Sequence, residues 1–165
     1  MKGLRLAAAS WALLSVLPPA VLPEQSKEPE ALERKMFELL NQEREARGIH
    51  RLELSPALAA VALEHSRKMA AAGKASHEVE GTRMEERIRR VLPNACGFGE
   101  NISRHFTVDY ALGDLLGSPG HRANLLNPEW ALVGIGIVEG DDHLLYITQN
   151  FVRLCRQNRR ARTER

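Results

Sequence analysis

Apolar positions recur at helical spacing through most of the chain and switch to strand alternation near its end. Leu32, Met36, Leu39 and Leu40 share one helical face with charges between them. Gly48 stands where such a helix would turn off. Leu52-Glu53-Leu54 reads as a short extended connector. Ser55-Pro56 then places a capping hydroxyl before a first-turn proline, and opens a second helix. Its Leu58, Val61, Ala62, His65, Met69 and Ala72 fall on one face, which turns His65 toward the core, and Gly73 stops it. Thr82-Arg83-Met84-Glu85 has the form of a capping box for a third helix. Met84, Ile88 and Val91 are expected to face inward there, and Pro93 ends it. Cys96 to Ile102 predicts a strand, and Thr107 caps a fourth helix reaching Leu116. Ser118-Pro119 repeats the cap-then-proline device, and Asn127-Pro128 closes that helix within about two turns. Val133 to Val138 then alternates branched residues with glycine, Glu139 to Asp142 forms a hairpin loop, and Leu144 to Val152 returns. Helices first and a hairpin last argue an α+β fold with a mostly antiparallel sheet. Few charges on either side of the strands place helices on both faces.

The ends of the chain carry other signals. Lys2 and Arg5 precede the apolar run Leu6 to Leu17, which Pro18-Pro19-Ala20 breaks. That is the order of a secretory signal, and the run is short for a membrane span. The reading is therefore a signal peptide over 1–22, a polar spacer over 23–29, a folded domain over 30–153 and a basic tail over 154–165. A secreted or cell-envelope location follows, with membrane contact only through the signal segment. The net charge of +2 hides a tail in which residues 153–165 hold six arginines and one glutamate. No aromatic residues interleave with them to stack bases, so no nucleic-acid partner is expected. Nothing in the pattern calls for an oligomer, and a monomer is expected. Cys96 and Cys155 are the only cysteines. In an exported chain they can pair, and two free thiols remain the alternative.

His77, Glu100 and His121 stand out as candidates for chemistry. Each lies at the end of an element or in a glycine-framed segment. Two imidazoles and one carboxylate form a known zinc set with an open water position. The same trio serves acid–base chemistry without metal. The chain has no HExxH pattern. Ser118 beside His121 has a sufficient role as a helix cap.

Several motifs in one order go further: Leu40-Asn41-Gln42-Glu43-Arg44, His65 to Met69 with Ser76-His77, Gly99-Glu100-Asn101-Ile102, Ser118-Pro119-Gly120-His121-Arg122 with Asn124-Leu125-Leu126, Val133-Gly134-Ile135-Gly136 and Thr148-Gln149-Asn150-Phe151. Together they resemble the bacterial branch of the CAP superfamily, which includes cysteine-rich secretory proteins, insect venom antigens and plant pathogenesis-related proteins. The resemblance covers roughly residues 33–152. It implies a three-layer α-β-α sandwich with a central cleft, which in many members holds two histidines and two glutamates able to bind a divalent metal such as zinc. By motif, His77 matches the first histidine, Glu100 the first glutamate and His121 the second histidine. The second glutamate position falls on Ser118, so the resemblance implies an incomplete tetrad. Asn101 and Asn124 are expected to bond backbone beside the cleft, Trp130 to pack over the short helix, and Gln149 to reach the cleft. The function implied is a secreted, non-catalytic binding or interaction module for a small ligand, a divalent metal or an extracellular partner. The alternative is a metal-assisted hydrolase or peptidase with Glu100 as catalytic base and His77 and His121 as ligands or acid–base partners.

Overall fold

The computed structural model describes residues 27–155, so the expected signal segment, most of the expected spacer and most of the expected basic tail lie outside the described residues. Nine elements follow one another: α1 (Lys27–Glu45), β1 (Glu53–Leu54), α2 (Pro56–Ala71), α3 (Met84–Val91), β2 (Ala95–His105), α4 (Val108–Gly117), α5 (Pro119–Leu125), β3 (Leu132–Glu139) and β4 (Leu145–Leu154). The strands form one sheet in the order β1-β3-β4-β2. Only the β1–β3 pairing is parallel, and β4 pairs antiparallel with both neighbours. The connector Leu52–Leu54 is thus partly a strand, because Glu53 and Leu54 find Leu132 and Val133 as partners.

Alternation along the strands sorts their side chains into two cores. Val133, Ile135, Ile137, Ile147 and Phe151 are buried against Met36 and Leu40 of α1 and against Val108, Ala111, Leu112 and Leu115 of α4. The opposite face carries Val152 with Leu58 of α2 and Ile88 of α3, and Tyr146 with Met69 of α2. The result is the three-layer α-β-α sandwich.

Gly134 and Gly136 lie on the second face. A Cβ on Gly134 would stand 2.2 Å from the carbonyl carbon of Leu58, and one on Gly136 2.1 Å from the backbone nitrogen of Leu63. The absence of side chains there lets the backbone of α2 rest directly on β3.

Local signals held at some termini and failed at others. Ser55 accepts a bond from the Leu58 N–H, and Thr107 accepts one from the Tyr110 N–H. Gly48 takes a positive φ of 70° just beyond α1. Thr82, by contrast, is not the cap of α3. Arg83 holds that position without a side-chain bond, and Thr82 instead bridges to Val79. Val91 is exposed rather than inward, because the helix ends there, while Ile88 is buried in the core and Met84 packs against it as expected. The first helix also starts three residues before the expected Glu30.

Cys96 and Cys155 are joined in a disulfide. Their strands are neighbours, and the β2 register shifts between Ala95 and Gly97, so the bridge clamps the start of β2 to the end of β4.

Two alanine substitutions should separate a packing glycine from a helical one. Gly136→Ala is expected to destabilise by about 3 kcal/mol or more, the upper range for overpacking, since backbone and not a side chain must move. Gly113→Ala, in α4 with nothing within 4 Å of its added Cβ, is expected to stabilise by about 0.5–1 kcal/mol. Urea midpoints at a constant m-value check both.

Candidate functional site

β2 is one of the two outer strands of the sheet, and the elements that flank it supply the site. Glu100 sits mid-strand opposite Asn150, with its side chain 2% exposed. A carboxylate buried to that degree requires partners. Arg87 of α3 donates through Nη2 to Glu100 Oε2 at 2.5 Å. His77, in the loop between α2 and α3, donates through Nδ1 to Oε1 at 3.0 Å. The same guanidinium also donates to the carbonyls of Thr82 at 2.8 Å and His77 at 3.3 Å. One buried arginine therefore neutralises the carboxylate and fastens the loop that carries His77. That histidine's side chain is 60% exposed, and its Nδ1–H bond to Glu100 leaves Nε2 as the open acceptor.

His65 supports this loop from behind. It is buried on α2, as its helical face required, and its Nε2 donates to the carbonyl of Ser76 at 2.9 Å. Burial pushes its pKa down, and the neighbouring Arg87 charge acts in the same direction.

α5 approaches the opposite face of β2. Asn124 donates to the carbonyl of Glu100 at 3.1 Å and to Asn101 Oδ1 at 3.0 Å. Asn101 donates in turn to the carbonyl of His121 at 3.1 Å. These are the backbone-bonding roles expected of both asparagines. Trp130 is buried, stacks on Phe151, and donates to the Asn124 carbonyl at 3.0 Å. Gln149 accepts from Asn101 at 3.3 Å and is fully buried below the site rather than lining the pocket. His121 is partly buried on the first turn of α5. Desolvation lowers its pKa, and a charge on His77 lowers it further.

A pocket of about 540 Å³ opens over this edge. Its wall includes His77, Glu78, Arg83, Phe98, Glu100 and Asn124. Of the three candidates, His77 and Glu100 are bonded in it, while His121 stands beside it, within electrostatic reach of His77. The residues present do not fit a zinc site in this arrangement. Both Glu100 oxygens are engaged, one by a guanidinium. Among the described residues, no three His, Cys, Asp or Glu side chains are grouped to hold a metal.

Ser118 occupies the N-cap position of α5, but its side chain makes no cap bond there, because the same residue also ends α4 and takes its geometry from both helices. Asp114 is not part of the pocket wall and lies 3.2 Å from His105 Nε2.

Two arginines carry structural weight that sequence reasoning missed. Arg87 sits beside Ile88 in a helix of charges, a pattern that reads as a solvated face. Arg44 is fully buried near the end of α1, and donates to the carbonyls of Leu125 at 2.8 Å, Asn127 at 3.1 Å and His50 at 3.0 Å. It thereby satisfies carbonyls at the C-terminus of α5. Its place in the Leu40–Arg44 motif was the available signal.

Removing both members of the buried pair should cost less than the two single removals added together. Glu100→Leu or Arg87→Met alone is expected to destabilise by roughly 3–5 kcal/mol, since each strands a buried charge. The double variant should cost clearly less than the sum, measured as a double-mutant cycle in urea. A second expectation concerns pH. His65 has its native pKa below the unfolded value of about 6.5. As pH falls through that value the unfolded chain takes up a proton that the native chain does not, so stability falls with pH from there down to the native pKa. His65→Gln should flatten the slope of unfolding free energy against pH in that window.

Comparison with known proteins gives a consistent picture. The model of the cysteine-rich secretory protein (CAP) family matches residues 37–151. The membrane protein YlbC of Bacillus subtilis is 30% identical over 142 residues, spanning 84% of this chain and 39% of its own length. An SCP-domain extracellular protein of Bacillus anthracis superposes with a TM-score of 0.71 at 29% identity, covering 81% of this chain and 44% of that one. A cysteine-rich secretory protein of Staphylococcus aureus gives a TM-score of 0.62 at 20% identity, covering 78% and 40%. The chain thus spans less than half the length of these relatives. None of the described helices is long and apolar enough to cross a membrane. The ordered motifs, the sandwich they build and the family match across most of that sandwich place this chain in the cysteine-rich secretory protein, or CAP, family.

Proposed function

We propose that this chain is a secreted or cell-envelope CAP domain that binds a small polar ligand, without turnover, in the pocket over β2. The supporting observation is the state of Glu100. Its oxygens are both held by groups of the chain itself, Arg87 and His77, so it serves to fix the pocket wall rather than to receive a proton or a cation. The rest of the wall is mixed in character. His77, Glu85 and the Arg83–Glu78 ion pair, 3.9 Å apart, line the pocket together with the ring of Phe98. Such a wall suits a compact molecule carrying both donors and acceptors. Secretion rests on the N-terminal signal pattern and on extracellular relatives.

One geometric feature supports a second reading, hydrolysis. A carboxylate that accepts from Nδ1 orients an imidazole with Nε2 free to take a proton. In that case the base would be His77, held by Glu100, rather than Glu100 itself.

Titration of the folded chain with a panel of amino acids, dipeptides and N-acetylated sugars, followed by amide NMR, tests the binding reading. Shifts should centre on His77, Phe98 and Asn124, and His77→Ala should weaken binding at least tenfold. Zinc chloride forms a separate arm. Tight zinc binding lost in Glu100→Gln would favour a metal site instead. Turnover of an ester or peptide panel lost in His77→Ala would favour hydrolysis.

A further inference from the structure

The buried face of the sheet behind Glu100 holds polar atoms that no group among the described residues satisfies. Asn150 is fully buried on β4, directly across from Glu100, and neither its Nδ2 nor its Oδ1 has a partner among the described residues. Arg87 Nε and His65 Nδ1 are likewise buried without partners. All three residues converge on one region. Arg87 is bonded to Glu100, Asn150 is the register partner of Glu100, and His65 bonds Ser76, the residue before His77, whose imidazole is bonded to Glu100 and whose carbonyl is held by Arg87.

Each orphan is costly on its own, and such groups in native proteins are matched by protein or by ordered water. Their chemistry selects the match. Because His65 Nε2 donates to Ser76, its Nδ1 is a lone pair. The set is therefore three N–H donors, one on Arg87 Nε and two on Asn150 Nδ2, and two acceptor atoms, His65 Nδ1 and Asn150 Oδ1. A cation is opposed by the guanidinium, and an anion by the imidazole lone pair and the amide oxygen. A water molecule accepts two bonds and donates two, and buried waters typically make about three.

We infer that a buried water site joins His65, Arg87 and Asn150 behind Glu100, and that Asn150 is a positioning residue for the Arg87–Glu100 pair. The water completes the arginine's donors, and so holds the carboxylate and the His77 loop from below. This site is independent of what the pocket binds, and it leaves the binding reading untouched if it fails.

A crystal structure at a resolution that shows ordered water decides the point. Density within about 3 Å of Arg87 Nε, His65 Nδ1 and an Asn150 amide atom is expected, and a dry site overturns the inference. Asn150→Leu gives a second reading of opposite sign. If Asn150 is a mere orphan, an apolar residue of similar shape relieves it and stabilises the fold. If it holds the water, the variant leaves arginine and histidine atoms unmatched. The folding equilibrium constant should then fall about tenfold or more, and the His65 Nδ1 nitrogen shift should move toward that of an unbonded lone pair. A gain in stability with an unchanged shift overturns the assignment.

Discussion

The contact between α2 and the glycines of β3 is the constraint from which the site's geometry descends. Backbone meets backbone at Gly134 and Gly136, with no side chain to act as a spacer. Ser66 then bonds the Gly136 carbonyl and the Thr148 hydroxyl, which fixes the helix along its axis as well as in depth. A helix held so close sets where its C-terminal end lies, and the loop that follows it carries His77. Since His65 of the same helix grips Ser76, the distance from β3 to the pocket is spanned by rigid steps: strand, helix, imidazole, loop. Small core residues commonly mark weak packing. Here they mark a direct approach of main chain to main chain, so the contact is filled by backbone rather than by side-chain volume.

The opposite wall is built by different means. α5 is only seven residues long and cannot hold itself together by its own hydrogen bonds. Arg44 reaches it from α1 and satisfies carbonyls at its C-terminal end, while Trp130 and Asn124 tie it to β2. A buried guanidinium is expensive to desolvate, and three carbonyls around it offset that cost. Both walls thus meet an outer strand whose own neighbour lies on one side only. The cleft follows from this topology, since β2 has helical elements on both faces and a free edge between them.

The sequence made much of this legible, and what it hid has a physical pattern. Apolar periodicity located the helices and the hairpin because burial acts on every residue of a face. Ser55 and Thr107 capped as expected because each has a single helix to serve. Ser118 did not, because it links two helices and its backbone is shared between them. Thr82 failed because the turn before α3 uses it in a bridge to Val79. The candidate residues His77 and Glu100 stand out by their placement and their motif, and their direct bond was beyond reach, since they are 23 positions apart with the whole of α3 between them. Arg87 was hidden most completely. A charge that is buried through long-range pairing has the same local signature as one that is solvated.

That hidden arginine changes the weight given to the incomplete tetrad. Read from motifs alone, the doubtful feature of the cleft is Ser118, where a fourth ligand is missing. Coulomb's law shifts the emphasis to Glu100. A guanidinium 2.5 Å from its oxygen is already the counter-ion that a divalent metal would have to replace. With N–H donors and no acceptor, it has no second way to face a carboxylate that would free the oxygen for a metal. It cannot swing into water cheaply either, because the pair is buried and Arg87 also holds two loop carbonyls. Restoring a glutamate at Ser118 would therefore add a ligand to a site whose central carboxylate remains occupied. The character of this cleft is decided by α3, which contributes no residue to the ligand set that the motifs suggest, more than by the position where that set is broken.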